Sequence, residues 1–140
     1  NLPLDFIFYT ADSNEHHQFV LATGRPKDVT FNVVNQLSFL VGSLAELREV
    51  HRQATRFGVK KIRCTSHGNA WSIYIHDPEG NQVEVYTHTP WYVPQPHGDP
   101  FDITKSDEDI YSETEAICLK DPAFCTREEW IRRTADRLKF

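Results

Sequence analysis

The stretch His67–Tyr86, HGNAWSIYIHDPEGNQVEVY, decides the fold. Two runs rich in β-branched and aromatic residues flank the turn formers DPEGN, which predicts a β-hairpin. Proline at the second turn position and glycine at the fourth are typical of a type I turn followed by a left-handed glycine. If Asp77 lies opposite Asn81, the register places Tyr74 directly across from Glu84.

Because side chains alternate along a strand, the hairpin has two different faces. One face is wholly apolar and is expected to pack on the core helix: Trp71, Ile73, Ile75, Val83 and Val85. The other is polar and carries a carboxylate in mid-strand: Ser72, Tyr74, His76, Gln82, Glu84 and Tyr86. Two interpretations of the polar face stay open. It is either a half-exposed sheet facing solvent, or the floor of a polar cavity in which His67 and His17 converge on Glu84 as a metal or acid–base carboxylate.

The rest of the chain predicts strands and helices around this hairpin. Residues 4–22 are predicted to form two strands. Residues 31–41 are predicted to form a third strand that should be well buried, and residues 59–64 a short fourth strand. Residues 89–100 hold four prolines and are expected to be extended and irregular.

Three helices are expected. The clearest spans 43–58, where Ser43 and Glu46 form a capping box and apolar residues recur at helical spacing. A second runs from 106 to about 120. A third begins at Thr126, with Glu129 completing its capping box.

The composition limits the classes of function. A chain of 140 residues is long enough for one domain with a core, and its net charge of −5 argues against nucleic-acid or anionic-membrane partners. No apolar run approaches the length of a membrane span, and no signal peptide is recognisable. The three cysteines, Cys64, Cys118 and Cys125, lack CxxC spacing, so we expect free thiols in a reducing compartment such as the cytoplasm.

The hairpin resembles the final hairpin of the vicinal oxygen chelate superfamily, which includes glyoxalase I, bleomycin-resistance proteins, methylmalonyl-CoA epimerase and extradiol ring-cleavage dioxygenases. The strand EHHQFVLA and the helix SLAELREVHRQATRFGV are similar to the family in the same order. The resemblance covers residues 4–93 and is closest to the extradiol dioxygenases. It implies an α+β fold whose mixed sheet curls into a half-open barrel with one packed helix. Residues 1–93 would form this domain, incomplete at its N-terminus, and 94–140 a C-terminal helical extension.

The resemblance also implies a role for each candidate residue. Glu84 matches the metal carboxylate, Tyr74 a tyrosine that contacts substrate, and His67 a histidine that hydrogen-bonds substrate. His17 matches the acid–base histidine, whose usual pKa near neutrality suits that task. Gln36 stands where the dioxygenases have a metal histidine. It is either a weaker, neutral ligand, as in the epimerase branch, or a polar residue without a ligand role.

The start of the chain adds an expectation. The sequence begins at Asn1, contains no methionine, and lacks the opening strand that bears the first metal histidine in the family. We therefore expect a fragment of a longer protein whose remaining part supplies that ligand. If the chain is complete, another subunit must finish the barrel, or the metal site is vestigial.

The expected function is that of a metal-dependent oxidoreductase resembling extradiol dioxygenases. It would act on a catechol-like vicinal diol with O₂ and use a divalent metal, Fe(II) first and otherwise Mn, Co, Zn or Ni. The alternatives are an epimerase- or glyoxalase-like isomerase or lyase, and a ligand-binding protein of the bleomycin-resistance kind. The partner is a small-molecule substrate, and the resemblance implies a homodimer.

Overall fold

The computed structural model describes residues 5–10, 12–23, 34–77 and 80–138, without the side chains of Tyr9, Phe19 and Leu21. Part of the predicted third strand, 31–33, and the turn residues 78–79 lie outside the described residues. Within them the strands and helices are β1 (Phe6–Tyr9), β2 (Phe19–Ala22), β3 (Leu37–Leu40), α1 (Leu44–Arg56), β4 (Arg63–Ser66), β5 (Ala70–His76), β6 (Gln82–His88), β7 (Trp91–Tyr92), β8 (Asp99–Pro100), α2 (Asp107–Cys118), β9 (Cys125–Thr126) and α3 (Arg127–Arg137).

The hairpin β5–β6 forms in the predicted register. Tyr74 pairs with Glu84 across the two antiparallel strands. The turn is closed by Asp77, whose backbone N–H donates to the Asn81 carbonyl at 3.0 Å, and Gly80 adopts a φ of 86°. Since glycine has no Cβ to clash in this left-handed region, its position is the one that the turn requires.

The main sheet is mixed, as predicted, and the α+β class is confirmed. Among the described residues its order is β3-β6-β5-β4-β8, with β3 parallel to β6 and the other neighbours antiparallel. The sheet is open, with β3 and β8 at its edges, and it does not close into a barrel. Strands β1 and β2 pair antiparallel in a separate sheet, and β7 pairs with β9.

The burial expected for the third strand is wrong. Leu37, Phe39 and Leu40 are 45%, 56% and 51% exposed. The apolar composition suggested a central strand, but among the described residues β3 is an edge strand whose one neighbour is β6. An apolar sequence favours burial of a strand, but it does not indicate which neighbouring strand or helix covers that strand.

The apolar face of the hairpin packs on α1, as predicted. Trp71 and Ile73 are fully buried and share one core cluster with Leu44 and Leu47 of the helix. The Ser43 hydroxyl accepts from the backbone N–H of Glu46 at 3.2 Å, which confirms the N-cap. The carboxylate of Glu46 instead accepts from the N–H of Gly42 at 2.8 Å, one residue before the position that a capping box uses.

Boundaries in the middle of the chain differ from the prediction. The strand expected at 59–64 is β4, which begins at Arg63 because the backbone N–H of Val59 still bonds to Ala54 at the end of α1. The proline-rich segment 89–100 is less irregular than expected, since it contains the short strands β7 and β8.

Helix α2 of the C-terminal segment packs into the same core as the hairpin. Ile110 and Cys118 of α2 belong to the cluster around Trp71, and the Trp71 Nε1–H donates to Thr114 Oγ1 at 2.9 Å. Helices α2 and α3 begin at the predicted caps, Ser106 and Thr126. None of the helices in the described part of the chain is long and apolar enough to cross a membrane.

Candidate functional site

The carboxylate of Glu84 is the centre of a buried polar cluster on the sheet. Its side chain lies in the middle of β6 and is only 6% exposed. Oε1 accepts from the Tyr74 hydroxyl at 2.5 Å, and Oε2 accepts from Ser38 Oγ at 2.6 Å and from Gln36 Nε2 at 3.0 Å. Three neutral donors, one from β5 and two from β3 and its flank, therefore surround one buried carboxylate.

A chain of hydrogen bonds extends this cluster from Glu84 to His67. The Nδ1 of His67 lies 2.6 Å from the His97 carbonyl oxygen, which only accepts, so Nδ1 carries a proton. The Nε2 of His67 lies 2.7 Å from the Tyr74 hydroxyl, which itself contacts Glu84. These two bonds to Tyr74 need two protons, and Tyr74 supplies one. The second comes from His67 Nε2 when the imidazole is protonated, whereas a neutral imidazole competes with Glu84 for the Tyr74 proton.

Burial shifts the pKa values of the groups in this series of hydrogen bonds. It lowers the pKa of His67, partly offset by the bond to the His97 carbonyl and by Glu84. It raises the pKa of Tyr74, an effect that the Glu84 carboxylate strengthens, so Tyr74 stays a neutral hydrogen-bond donor at neutral pH.

Gln36 is held by two contacts on opposite sides of its amide. Its Nε2 donates to Glu84, while its Oε1 accepts from Gln82 Nε2 at 3.1 Å. The carbonyl oxygen, which is the atom that binds a metal, therefore faces Gln82. Rotating the side-chain amides of Gln36 and Gln82 by half a turn would keep a hydrogen bond between them. The same rotation would turn the Gln36 carbonyl oxygen toward Glu84.

His17 and His16 lie on the connection between β1 and β2. Burial lowers the pKa of His17, and Glu84 counteracts this effect, which puts the two groups within electrostatic reach. The Nδ1 atoms of His16 and His17 are 2.8 Å apart, so one donates and the other accepts. This bond occupies Nδ1 of His17 and leaves its Nε2 for a ligand.

A second group of polar side chains lies beside the first on β6. The Tyr86 hydroxyl donates to Glu15 Oε2 at 3.2 Å, and His88 Nε2 lies 3.1 Å from Glu15 Oε1. Burial and the Glu15 carboxylate raise the pKa of Tyr86 to about 12. Glu15 thereby joins the loop that carries His17 to the main sheet.

The structure brings together the residues singled out from the sequence. Hydrogen bonds connect Glu84 with Tyr74 and Gln36, and Tyr74 with His67, while His17 is coupled to them through its electrostatics. Their chemical roles stay predictions. Ser38 is a further residue of the cluster that was not singled out from the sequence, although alternation from Gln36 places both residues on one face.

The resemblance implies a divalent metal, and this cluster contains part of a ligand set for one. Glu84 is a buried carboxylate without a Lys or Arg hydrogen-bond partner among the described residues, and a buried charge of this kind is typically paired or metal-bound. Gln36 adds an amide oxygen after the rotation described above. The segments that the structure describes contain no group of three or more His, Cys, Asp or Glu side chains arranged to hold a metal ion. Glu84 thus offers a carboxylate, and Gln36 would offer a second ligand only with its carbonyl oxygen in place of the amide nitrogen that now donates to Glu84.

Comparisons of the chain with protein-family models, with curated proteins and with solved structures found no match.

Proposed function

We propose that this chain is a vicinal oxygen chelate domain most like the extradiol dioxygenases, and that it is an oxidoreductase that uses O₂ and a divalent metal, Fe(II) first, on a catechol-like vicinal diol. The observation that carries the proposal is the hydrogen-bonded cluster of Glu84, Tyr74, His67 and Gln36 on the polar face of the hairpin. A sheet face that merely met solvent would not bury a mid-strand carboxylate to 6% exposure.

Burial of the cluster supports chemistry rather than stability alone. Taking a carboxylate out of water is costly, and three neutral donors offset this cost only in part. Strongly shifted titratable groups in one place are typical of functional sites, and here the pKa values of His17, His67 and Tyr74 all move through burial.

Each residue has a defined task under this proposal. Glu84 and Gln36 would hold the metal, which acts as a Lewis acid toward two adjacent substrate oxygens. Tyr74 and His67 hydrogen-bond to a substrate oxygen and orient it. The lowered pKa of His17 keeps its imidazole neutral near pH 7, and with Nδ1–H donating to His16 its Nε2 would accept a proton from a substrate hydroxyl.

Oxygen uptake tests the proposal. The protein is loaded with Fe(II) under anaerobic conditions, and O₂ consumption is then recorded with a panel of catechols. We expect uptake that depends on both metal and catechol, and a loss of at least about a hundredfold in Glu84→Gln. The matched control is Glu108→Gln on the exposed side of α2, which should keep the wild-type rate. Metal-loaded protein that consumes no O₂ with any catechol would rule out the dioxygenase.

A second candidate follows from Gln36. A glutamine within 3.0 Å of Glu84 suits a metal-dependent isomerase or lyase of the epimerase or glyoxalase kind, which needs no O₂. A preference for Co, Mn, Zn or Ni over Fe(II), with turnover but no O₂ consumption, would favour it.

A third candidate is metal-free ligand binding of the bleomycin-resistance kind. The bond from the Gln36 amide nitrogen to Glu84 satisfies the carboxylate without a cation. Ligand affinity that is unchanged by a chelator, together with no turnover, would favour this class.

A further inference from the structure

The loop that carries His17 is attached to helix α3 and to the main sheet at three successive residues, 14–16. The Asn14 carbonyl accepts from Arg127 Nη2 at 2.6 Å. Glu15 accepts from Tyr86 and contacts His88 on the main sheet. His16 in turn bonds to His17 through the two Nδ1 atoms.

Helix α3 supplies two of these attachments. Besides Arg127, it contributes Trp130, whose ring stacks on His16 with the centroids 5.9 Å apart and the planes 28° apart. Trp130 also stacks on Tyr92 at 5.0 Å and 18°, and Tyr92 lies 5.9 Å from His16. The imidazole of His16 is therefore held by a pair of stacked aromatic rings.

The helix itself is firmly placed on the body of the protein. Strand β9, which leads directly into α3, pairs with β7, and the backbone N–H of Arg127 donates to the Pro90 carbonyl at 2.8 Å. Strand β7 includes Trp91, which is buried in the core against Trp71. The side chains of α3 thus reach the loop from an anchored element.

We propose that α3 positions the catalytic loop, with Arg127 and Trp130 as positioning residues that hold His17 over Glu84. This inference rests on the proposed acid–base role of His17. Trp130 fixes the ring of His16, His16 occupies Nδ1 of His17, and Nε2 of His17 is thereby directed to the ligand. Arg127 fixes the backbone of the same loop two residues earlier.

The need for such support follows from the local structure. Strands β1 and β2 form a two-stranded sheet of their own, and isolated two-stranded sheets are only marginally stable. The loop between them needs contacts from outside to hold an acid–base group in one geometry. Misplacement by about 1 Å costs about a hundredfold in rate, which is why a positioning helix matters for catalysis.

Amide hydrogen exchange and imidazole NMR test the proposal without any turnover. In Trp130→Ala and Arg127→Ala, we expect exchange over residues 12–18 to be at least about threefold faster, with β5 and β6 unchanged. The pKa of His17, followed by imidazole NMR, should rise toward its usual value as the ring becomes solvated. With an active catechol, kcat should fall about tenfold while KM stays within about twofold.

Three further variants separate positioning from simple loss of structure. Trp130→Phe keeps a stacking ring and Arg127→Lys keeps a cationic donor, so both should restore much of the wild-type exchange and His17 pKa. Arg132→Ala removes an exposed arginine from the same helix and should leave every readout unchanged. Wild-type exchange at 12–18 and a wild-type His17 pKa in both alanine variants would overturn the proposal. Absence of turnover in the wild-type protein would instead count against the proposed function, while the exchange and NMR results still decide positioning.

Discussion

The hydroxyl of Tyr74 bridges Glu84 and His67 inside the buried cluster. It donates to Glu84 at 2.5 Å and contacts His67 Nε2 at 2.7 Å. The turn predicted the pairing of Tyr74 with Glu84, because register follows from turn geometry. The contact with His67 depends on how the loop before β5 folds back, which no local pattern encodes.

Replacing Tyr74 by Phe should therefore destabilise the protein and not only impair the site. We expect a loss of about 1–3 kcal/mol in the free energy of unfolding, because Glu84 and His67 each lose a buried hydrogen-bond partner. Denaturant titration measures this change. Tyr111→Phe, in which the altered hydroxyl belongs to an exposed residue of α2, should unfold at the wild-type midpoint. Equal midpoints for Tyr74→Phe and wild type would contradict the prediction.

His16 predicts how stability depends on pH. Burial, together with the neighbouring His17 and His67, lowers its pKa from 6.5 to about 4 in the folded protein. As pH falls below 6.5, the unfolded chain takes up the proton first, so this contribution to stability is present above 6.5 and is lost toward pH 4. After discounting for partial exposure, we expect a loss of about 1 kcal/mol between pH 7 and pH 5.

The variant His16→Asn isolates this contribution. It removes the titrating group, so its stability should fall less steeply over the same pH interval than that of the wild type. Chemical denaturation at both pH values gives the two slopes. Parallel slopes would show that His16 does not titrate differently in the folded and unfolded states.

At the scale of elements, the entry into the hairpin depends on a glycine that has no room for a side chain. Gly68 has a φ of 73°, and a Cβ there would lie 2.4 Å from Val93 Cγ2. Gly58, after helix α1, has a similar φ of 76° but no atom within 4 Å of an added Cβ. A side chain added at Gly58 therefore meets backbone strain alone, whereas one added at Gly68 meets both backbone strain and steric overlap.

We expect Gly58→Ala to cost about 1 kcal/mol, since only the left-handed backbone is strained. Gly68→Ala should cost about 2–4 kcal/mol, because overlap with Val93 adds to the same strain. Thermal or denaturant unfolding measures both. Equal costs in the two variants would mean that the backbone at Gly68 moves away from Val93 without penalty.

Elements with strong local signals were predictable, and those fixed by neighbours were not. Helix α1 begins at its Ser43 cap as predicted, because capping is a local interaction. Strand β3 is exposed against expectation, since its burial depends on its place in the sheet. Strand β4 begins later than expected because the backbone N–H of Val59 still bonds to the Ala54 carbonyl at the end of α1.

At the scale of the whole molecule, one core joins the hairpin to helix α2. Ile110 of α2 is 1% exposed and belongs to the same cluster as Trp71 and Leu47. We expect Ile110→Ala to cost about 2–5 kcal/mol and to increase hydrogen exchange in β5 as well as in α2. Leu119→Ala, at a residue that is 60% exposed, should cost less than about 1 kcal/mol and serves as the control.

Cooperative unfolding provides a second measure of this shared core. Far-UV circular dichroism and tryptophan fluorescence should give one coincident transition in the wild type and in Ile110→Ala. Two separated transitions would show that residues 94–140 unfold independently of the hairpin.

The sequence by itself determined the hairpin, its register, its two faces and the helix caps, because turn geometry, alternation and capping act over a few residues. It also singled out Glu84, Tyr74, His67, His17 and Gln36. Only the tertiary structure decided that Ser38 and Gln82 complete the cluster, that β3 lies at an edge, and that α3 reaches the His17 loop. These contacts join residues up to 113 positions apart, as between Asn14 and Arg127, and chain folding rather than local pattern sets which distant side chains meet.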